Sequence, residues 1–598
     1  MDPIKDIRGL AAKGELLSAI DLAREQADLA QDDELRDLIR VEEVILLARI
    51  ASSEEAREKF YEYHLDEALA SGARSLNARL RKDLGFAADN AADKARLLRE
   101  SRDEYLTIAK GHDPASEWGE YEYNGINAVS LSREIDDMAA VADVVEALSG
   151  PEPQDNYWSW ATRAELLIAT GAPADEARAA LATAMAQADA GLSAQASTLK
   201  QLTRVAPDHP ALAALRPGPV LHFSGHMIAA PGADFGRVLA VNEPALTERV
   251  NAALTEIDPS VVYGSLASGV DILVVEWALA AGRPAVVFLP FREAAFFALS
   301  VAPAGAQWVA RARACLDHDL TQLRFLTRDD ATGDDAHAFA AVAHLAMGSA
   351  ILHADNINAN AVQLVVWDGE DSGGVAGAAA DRRVWQASEH EQVEVDVADL
   401  GARAPASSRQ PQGPIADPPR QAAALVFGDV KNFSKLNERQ LPTFVSEVMG
   451  AVAKALDDTS AQYGDDCASF VNTWGDGVFA VFASPSPAAF FARRLQDRMT
   501  ALPLSDLGLP KDLAIRLGMH FGVVYRQIEP VTAERNYFGE AVARAARIEP
   551  ITTEGRVFVS EEFAAELALD PNAPASTEYV GERDTAKKYG RFRLYRLR

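Results

Sequence analysis

The chain has 598 residues, 48% hydrophobic and 24% charged, which is long enough for several domains with separate cores. Its formal net charge of −30 excludes broad electrostatic binding of nucleic acid or of an anionic membrane surface, though not a local basic pocket. Cys315 and Cys467 are the two cysteines and lie far apart, so neither a disulfide framework nor a thiolate metal site is expected, and a reducing cytoplasm fits. The start, Met1-Asp-Pro-Ile-Lys-Asp6, has no apolar signal-like stretch, and no run of about 18 apolar residues is read as a membrane span.

Residues 1–215 are read as an all-α helical-repeat domain. Apolar residues recur at three- and four-residue spacing over 10–29 and 34–51, and 165–169 pairs with 174–188 across Gly171-Ala-Pro173. Gly14, Gly111, Gly125 and Gly171 are expected breaks. Paired helices of this size suggest a solenoid of tetratricopeptide type. Tyr123-Asn-Gly-Ile-Asn-Ala128 and Tyr157-Trp-Ser-Trp-Ala-Thr162 resemble the helical TRAF-binding domain found beside kinase and cyclase domains. The resemblance implies a scaffold surface for a protein partner or for self-association. Plain inter-helix packing of the aromatics would give the same pattern.

The period changes at Pro217. Apolar runs at Val220-Leu-His-Phe-Ser224, Val261-Val-Tyr-Gly264, Ala285-Val-Val-Phe-Leu289 and Leu364-Val-Val-Trp367 alternate with helical segments. Residues 217–397 are therefore expected to form an α/β domain with a doubly wound parallel sheet. Ligands of such sheets sit at the strand C-terminal ends. The loop from Gly264 to Gly269 could turn backbone N–H groups toward a phosphate, with Ser265 and Asp271 beside it. Ser224-Gly-His226, Gly264-Ser265, Gly269-Val-Asp271, Glu276 and Trp367-Asp-Gly369 resemble the SLOG superfamily of Rossmann-like nucleotide sensors. That resemblance implies a nucleotide-like ligand and places Glu276 where hydrolytic relatives carry a catalytic carboxylate. The companion glycine-threonine motif is not evident, which favours sensing over cleavage.

Residues 398–420, with Ala-Pro-Ala-Ser-Ser and Gln-Pro-Gln-Gly-Pro, read as a linker. From 421 to 598 the order strand, helix, strand, strand, helix, strand predicts an α+β ferredoxin-like domain. Leu425-Val-Phe-Gly-Asp429 and Asn472-Thr-Trp-Gly-Asp476-Gly477 each carry an aspartate at the edge of an apolar strand. Two such carboxylates can hold two hard divalent cations against a triphosphate. A glycine turn into a helix, Phe538-Gly-Glu-Ala-Val-Ala-Arg-Ala-Ala-Arg547, follows.

Together these motifs resemble the catalytic domain of class III nucleotidyl cyclases. The resemblance implies cyclisation of a nucleoside triphosphate to a 3′,5′-cyclic monophosphate and pyrophosphate, with two Mg²⁺ or Mn²⁺ ions held by Asp429, Val430 and Asp476. It implies triphosphate contacts from Arg547, from Phe433 and Ser434, and from Lys587 or Lys588. The backbone N–H groups from Val430 to Ser434 are expected to face the phosphates if a helix starts after Phe433. The base-reading positions of the family fall on Asn472 and Asn536. An asparagine amide both donates and accepts, so ATP is the default and a pyrimidine triphosphate stays open. The family's transition-state asparagine falls on Ala543, with Arg544 as a neighbouring substitute. The family's shared site implies a homodimer. Two rival readings are a catalytically inactive nucleotide-binding module, suggested by Ala543, and a nucleotide hydrolase centred on Glu276.

Overall fold

The computed structural model describes residues 3–50, 52–67, 73–88, 90–327, 335–371, 373–403, 420–531, 533–586 and 590–598. The chain divides into two compact units. One is built on Met1–Pro217 with the short segments Asp355–Ala359 and Tyr579–Gly581; the other comprises Gly218–Ala354, Asn360–Glu578 and Glu582–Arg598. Most of the expected linker, and both Lys587 and Lys588, lie outside the described residues.

The first unit is helical, from Pro3–Ala12 through to Leu192–Val205. The expected break at Gly14, which takes φ +85°, separates Pro3–Ala12 from Leu16–Leu29. Gly171, at φ +77°, closes Tyr157–Thr170 in the same way. Gly125 does not break anything: it sits inside Trp118–Glu134, where a Cβ would come 3.0 Å from Val144 Cγ1. Helix starts are fixed locally, as where Asp32, Asn90 and Asn156 each accept a backbone N–H from the first turn. Tyr105, Tyr121 and Tyr157 are buried between helices, whereas Tyr123 and Trp158 stay exposed.

The second unit holds two sheets. The first consists of β1 (Val220–Gly225), β2 (Val261–Gly264), β3 (Ala285–Leu289), β4 (Thr321–Phe325), β5 (Ala361–Trp367) and β6 (Glu391–Asp396), in the order β4-β3-β2-β1-β5-β6. Every neighbouring pair is parallel. Strands β1, β2 and β3 are buried almost throughout, which is why they read as unbroken apolar runs. The order reverses between β1 and β5, so a crevice is set at their C-terminal ends.

The second sheet consists of β7 (Arg420–Val430), β8 (Ala468–Trp474), β9 (Gly477–Phe482), β10 (Ile515–Ile528), β11 (Arg535–Phe538), β12 (Val557–Ser560), β13 (Thr577–Asp584) and β14 (Arg591–Leu597). Its order is β13-β14-β12-β10-β7-β9-β8, with β11 paired to β10. The stretch β10-β7-β9-β8 is the expected split βαββαβ arrangement, and β7, flanked by β9 and β10, runs antiparallel to both. The first helix of this region opens with Leu441–Thr443 and carries a π-helical segment, Phe444–Met449, before Gly450–Tyr463.

Among the described residues one helix, Ala336–Ile357, is long and apolar enough to cross a membrane by length and composition. Here it packs inside the second unit, with 56% of its most apolar window buried. A Cβ on its Gly348 would fall 1.9 Å from the carbonyl oxygen of Ala565, so this glycine sets how closely it meets the helix Glu561–Ala568. His344 of the same helix pairs with Glu566 at 3.0 Å. Beside it, Arg324 of β4 pairs with Glu561, and Thr327 donates to Glu540 at 2.7 Å. The two sheets of this unit are thus tied by charged contacts as well as by packing.

Candidate active site

Asp429 comes one residue before the end of β7. The register Gly428↔Val478 between β7 and β9, carried two residues further, sets Asp476 level with Val430. The β8–β9 turn that carries Asp476 needs glycine on both sides. Gly475 takes φ +69°, and a Cβ on Gly477 would lie 2.4 Å from Trp474 Nε1. The two carboxylates therefore converge. Desolvation raises the Asp476 carboxyl above its ordinary range, and facing Asp429 raises it further.

On the other side of β7, the register sets Arg516 of β10 opposite Asp429. Arg516 donates to Asp429 at 2.9 Å and also to Glu549. Glu549 reaches the cluster because β10 is thinned at Gly518, where a Cβ would fall 2.2 Å from the Glu549 amide nitrogen. Burial raises the Glu549 carboxyl; Arg516 opposes that, while Asp429 and Asp476 add to it. Arg516 was not singled out from the sequence, and Glu549 figured there only as a possible partner of Arg547, whereas here it is held by Arg516. The available signal was a charged residue inside an otherwise apolar strand, where Arg516 and His520 are the ionisable side chains between 513 and 524.

Arg547 lies in the last turn of the helix Glu540–Ile548, which packs Ala541 and Ala545 against β7 and β9 side chains. Its Nε is buried without a hydrogen-bond partner, and no carboxylate among the described residues pairs with it. Ala543 sits one turn earlier on the same face. Arg544 does not substitute for the missing asparagine. It pairs with Glu540 at 3.0 Å and Glu562 at 2.9 Å and donates to the Leu326 carbonyl.

No α-helix starts after Phe433. A three-residue 3₁₀ turn, Phe433–Lys435, follows β7 instead, and the Lys431 amide already donates to Ala514. Phe433 meets Phe444 at a tilt, 4.9 Å between ring centroids, and lines the Gly475 turn, while Ser434 is exposed. Asn472 is exposed on β8, and Asn536 stands opposite Gln527 at the start of β11. The edge contact of Phe470 with Tyr537, 5.9 Å between centroids, draws their two strands together.

Two converging carboxylates, both hard oxygen donors at strand ends, suit a divalent cation. Among the described residues no group of three or more potential ligands is assembled, so backbone, triphosphate or water oxygens would complete its shell.

Residues 415–589 match the family model of the adenylate and guanylate cyclase catalytic domain. This region is a class III nucleotidyl cyclase catalytic domain. The cyclase region is 26% identical over 166 residues to an adenylate cyclase of Podospora anserina and 27% identical over 167 residues to one of Lachancea kluyveri. Each match covers 25% of this chain, and the chain spans 8% and 9% of those relatives. Solved structures similar to it include the guanylate cyclase domain of RhGC from Catenaria anguillulae in complex with GTP. That match has 16% identity and a TM-score of 0.25, and covers 30% of this chain and 96% of that one. The adenylyl cyclase CyaB from P. aeruginosa matches with 16% identity and a TM-score of 0.25, covering 30% and 94%.

Of the residues singled out between β1 and β6, Gly264, Gly269, Asp271 and Glu276 each have a structural role. A Cβ on Gly264 would lie 2.5 Å from the Phe223 ring. One on Gly269, at φ +102°, would lie 2.7 Å from the His226 carbonyl. Both glycines are thus required by close packing. Ser265 is half-buried in this loop, and Asp271 turns back to accept the Ala267 amide at 3.1 Å. Burial pushes the Asp271 carboxyl up to about 7. Glu276 is not poised for catalysis: Arg311 holds it through two hydrogen bonds, at 2.7 and 2.6 Å, from the neighbouring helix Ala306–Leu316. The polar cluster forms instead at the switch point. His226 meets Asp368 at 3.1 Å, Arg237 pairs with Asp368 at 2.6 Å, and Ser224 donates to Asp381 at 2.6 Å.

Proposed function

We propose that the protein converts a nucleoside triphosphate, ATP by default, to a 3′,5′-cyclic monophosphate and pyrophosphate. The observation that carries this reading is the convergence of Asp429 and Asp476 beside Arg516. Divalent cations bound there would acidify the 3′-hydroxyl and neutralise the departing pyrophosphate. Asp429 and Asp476 supply the anionic donors, and Arg516 balances their charge and can turn its guanidinium to phosphate oxygens. Arg547, with Nε unsatisfied among the described residues, is assigned to the triphosphate of a site completed by a second copy.

The parallel sheet is assigned a regulatory role. Its β4 end contacts the helix that carries Arg547 through Thr327–Glu540 and Leu326–Arg544. A shift of that strand would therefore move the arginine. The hydrolase reading loses its support once Glu276 is committed to Arg311. The inactive-module reading rests on Ala543.

Mass spectrometry of products from each of the four triphosphates with Mn²⁺ decides among these. A cyclic monophosphate that disappears in Asp429→Ala and Asp476→Ala is expected. Undiminished turnover in either variant refutes the two-carboxylate assignment.

A further inference from the structure

A cavity of about 520 Å³ opens inside the helical unit, walled by the helices Asp33–Arg49, Ala73–Ala87, Trp118–Glu134, Tyr157–Thr170 and Leu192–Val205. In a chain with formal net charge −30, this cavity gathers five cations: Arg49, Arg79, Lys82, Lys200 and Arg204. Its acids are Asp83, Glu120, Glu122 and Glu165. Asp83 is already shared by Arg204 at 2.9 Å and Arg79 at 3.9 Å. Glu165 is hydrogen-bonded by Ser130 and Gln201, and Glu122 by Ser159; burial raises both carboxyls and so weakens their negative charge.

Three of the cations have no carboxylate partner among the described residues. Arg49 donates to the Ser193 hydroxyl at 3.1 Å, and its Nε is buried with no partner. Lys82 reaches neutral amide oxygens, Asn127 at 2.8 Å and Gln201 at 3.1 Å. Lys200, from the helix Leu192–Val205, lines the same cavity. Burial pushes Lys82 and Lys200 down to about 8, the direction expected of cations short of counter-charge. Grouping unpaired cations away from water is costly unless an anion joins them. At the same cavity stand the exposed aromatics Tyr123 and Trp158, the latter 5.8 Å from the Arg49 guanidinium.

We propose that this cavity binds a small phosphorylated ligand with a planar ring, of nucleotide size, its phosphates on Arg49, Lys82 and Lys200 and its ring against Trp158. The volume falls within the range of about 300–1,000 Å³ typical of small-ligand pockets. The cations line one chamber, which favours a compact polyanion over an extended acidic peptide. This site is separate from the cyclase residues, and its test does not depend on turnover.

Calorimetric titration of the full chain in EDTA with AMP, ATP, cyclic AMP, pyrophosphate and an octaglutamate peptide tests it. At least one nucleotide is expected to bind and to quench Trp158 fluorescence. Lys200→Met and Arg49→Met should each weaken that binding by about tenfold or more. Trp158→Ala should weaken nucleotides by about tenfold but pyrophosphate by less than twofold, roughly the contribution of one stacked base. Lys200→Met should also raise the melting temperature of the unliganded protein, because it removes an uncompensated buried cation. That rise separates a ligand site from a structural lysine. The proposal is overturned if no nucleotide binds, if binding survives both methionine variants, or if octaglutamate binds in preference.

Discussion

Replacing Arg516 with alanine probes how the acidic end of the cyclase cleft is held together. Arg516, Asp429 and Glu549 have side chains 26%, 33% and 15% exposed, so their pairs are neither surface bridges nor fully buried ones. Exposed pairs contribute about 0–1 kcal/mol, whereas removing one partner of a buried pair costs about 3–5 kcal/mol. A loss of about 1–3 kcal/mol follows, lowering the melting temperature by about 3–10 °C for a region of this size. The variant also leaves Asp429, Asp476 and Glu549 facing one another with no cation. Asp476 and Glu549 already bind protons more tightly than ordinary carboxyls. The metal-free fold therefore loses stability as pH rises from the ordinary carboxylate range through their raised values, and the variant loses more. Mn²⁺ should stabilise the variant more than the wild type; a cation at a hundred times its Kd adds about 2.7 kcal/mol. The assay is thermal unfolding at pH 7.5 in EDTA and in Mn²⁺, with product formation measured beside it. Activity should fall about 100-fold, as for other lost charge-stabilising donors. An unchanged melting temperature in EDTA, together with a wild-type Mn²⁺ shift, would show that Arg516 does not hold this cluster.

Mixing Asp429→Ala with Arg547→Ala, each nearly inactive alone, should restore roughly a quarter of wild-type activity through mixed dimers with one intact site. No recovery, with subunit exchange verified by tagged pull-down, means each chain carries a self-contained site. Asn472→Lys with Asn536→Asp should shift preference toward ATP in competition assays of the four triphosphates; an unchanged ratio removes these positions from base reading. Asp271, with its folded value near 7 against an ordinary 3.8, makes the fold less stable as pH rises from about 4 through 7. Asp271→Asn should therefore gain on the wild type by up to about 4 kcal/mol at pH 8 and match it near pH 4, as read by urea unfolding at each pH. A pH-independent difference would mean the carboxyl is charged throughout.

Local sequence carried the strand that ends in Asp429, the glycine-flanked turn at Asp476 and the change from helical to strand period at Pro217. These depend on side-chain alternation and turn chemistry within a few residues, which a sequence displays directly. The order of β7 to β10 also followed, because two strand–helix–strand units joined by one tight hairpin leave few ways to pair four strands. Tertiary structure alone decided the partners. Arg516 meets Asp429 across 87 positions, and Arg311 takes Glu276, the centre of the rival hydrolase reading, across 35. Gly264 and Gly269 looked like a phosphate loop, but close approach of Phe223 and the His226 carbonyl accounts for them. The cationic chamber draws its lining from Ile45 to Arg204, and no window of sequence shows five cations meeting. Charge pairing and cavity walls are set by which helix faces pack together. A helix's own periodicity says which face is buried, not which partner it is buried against.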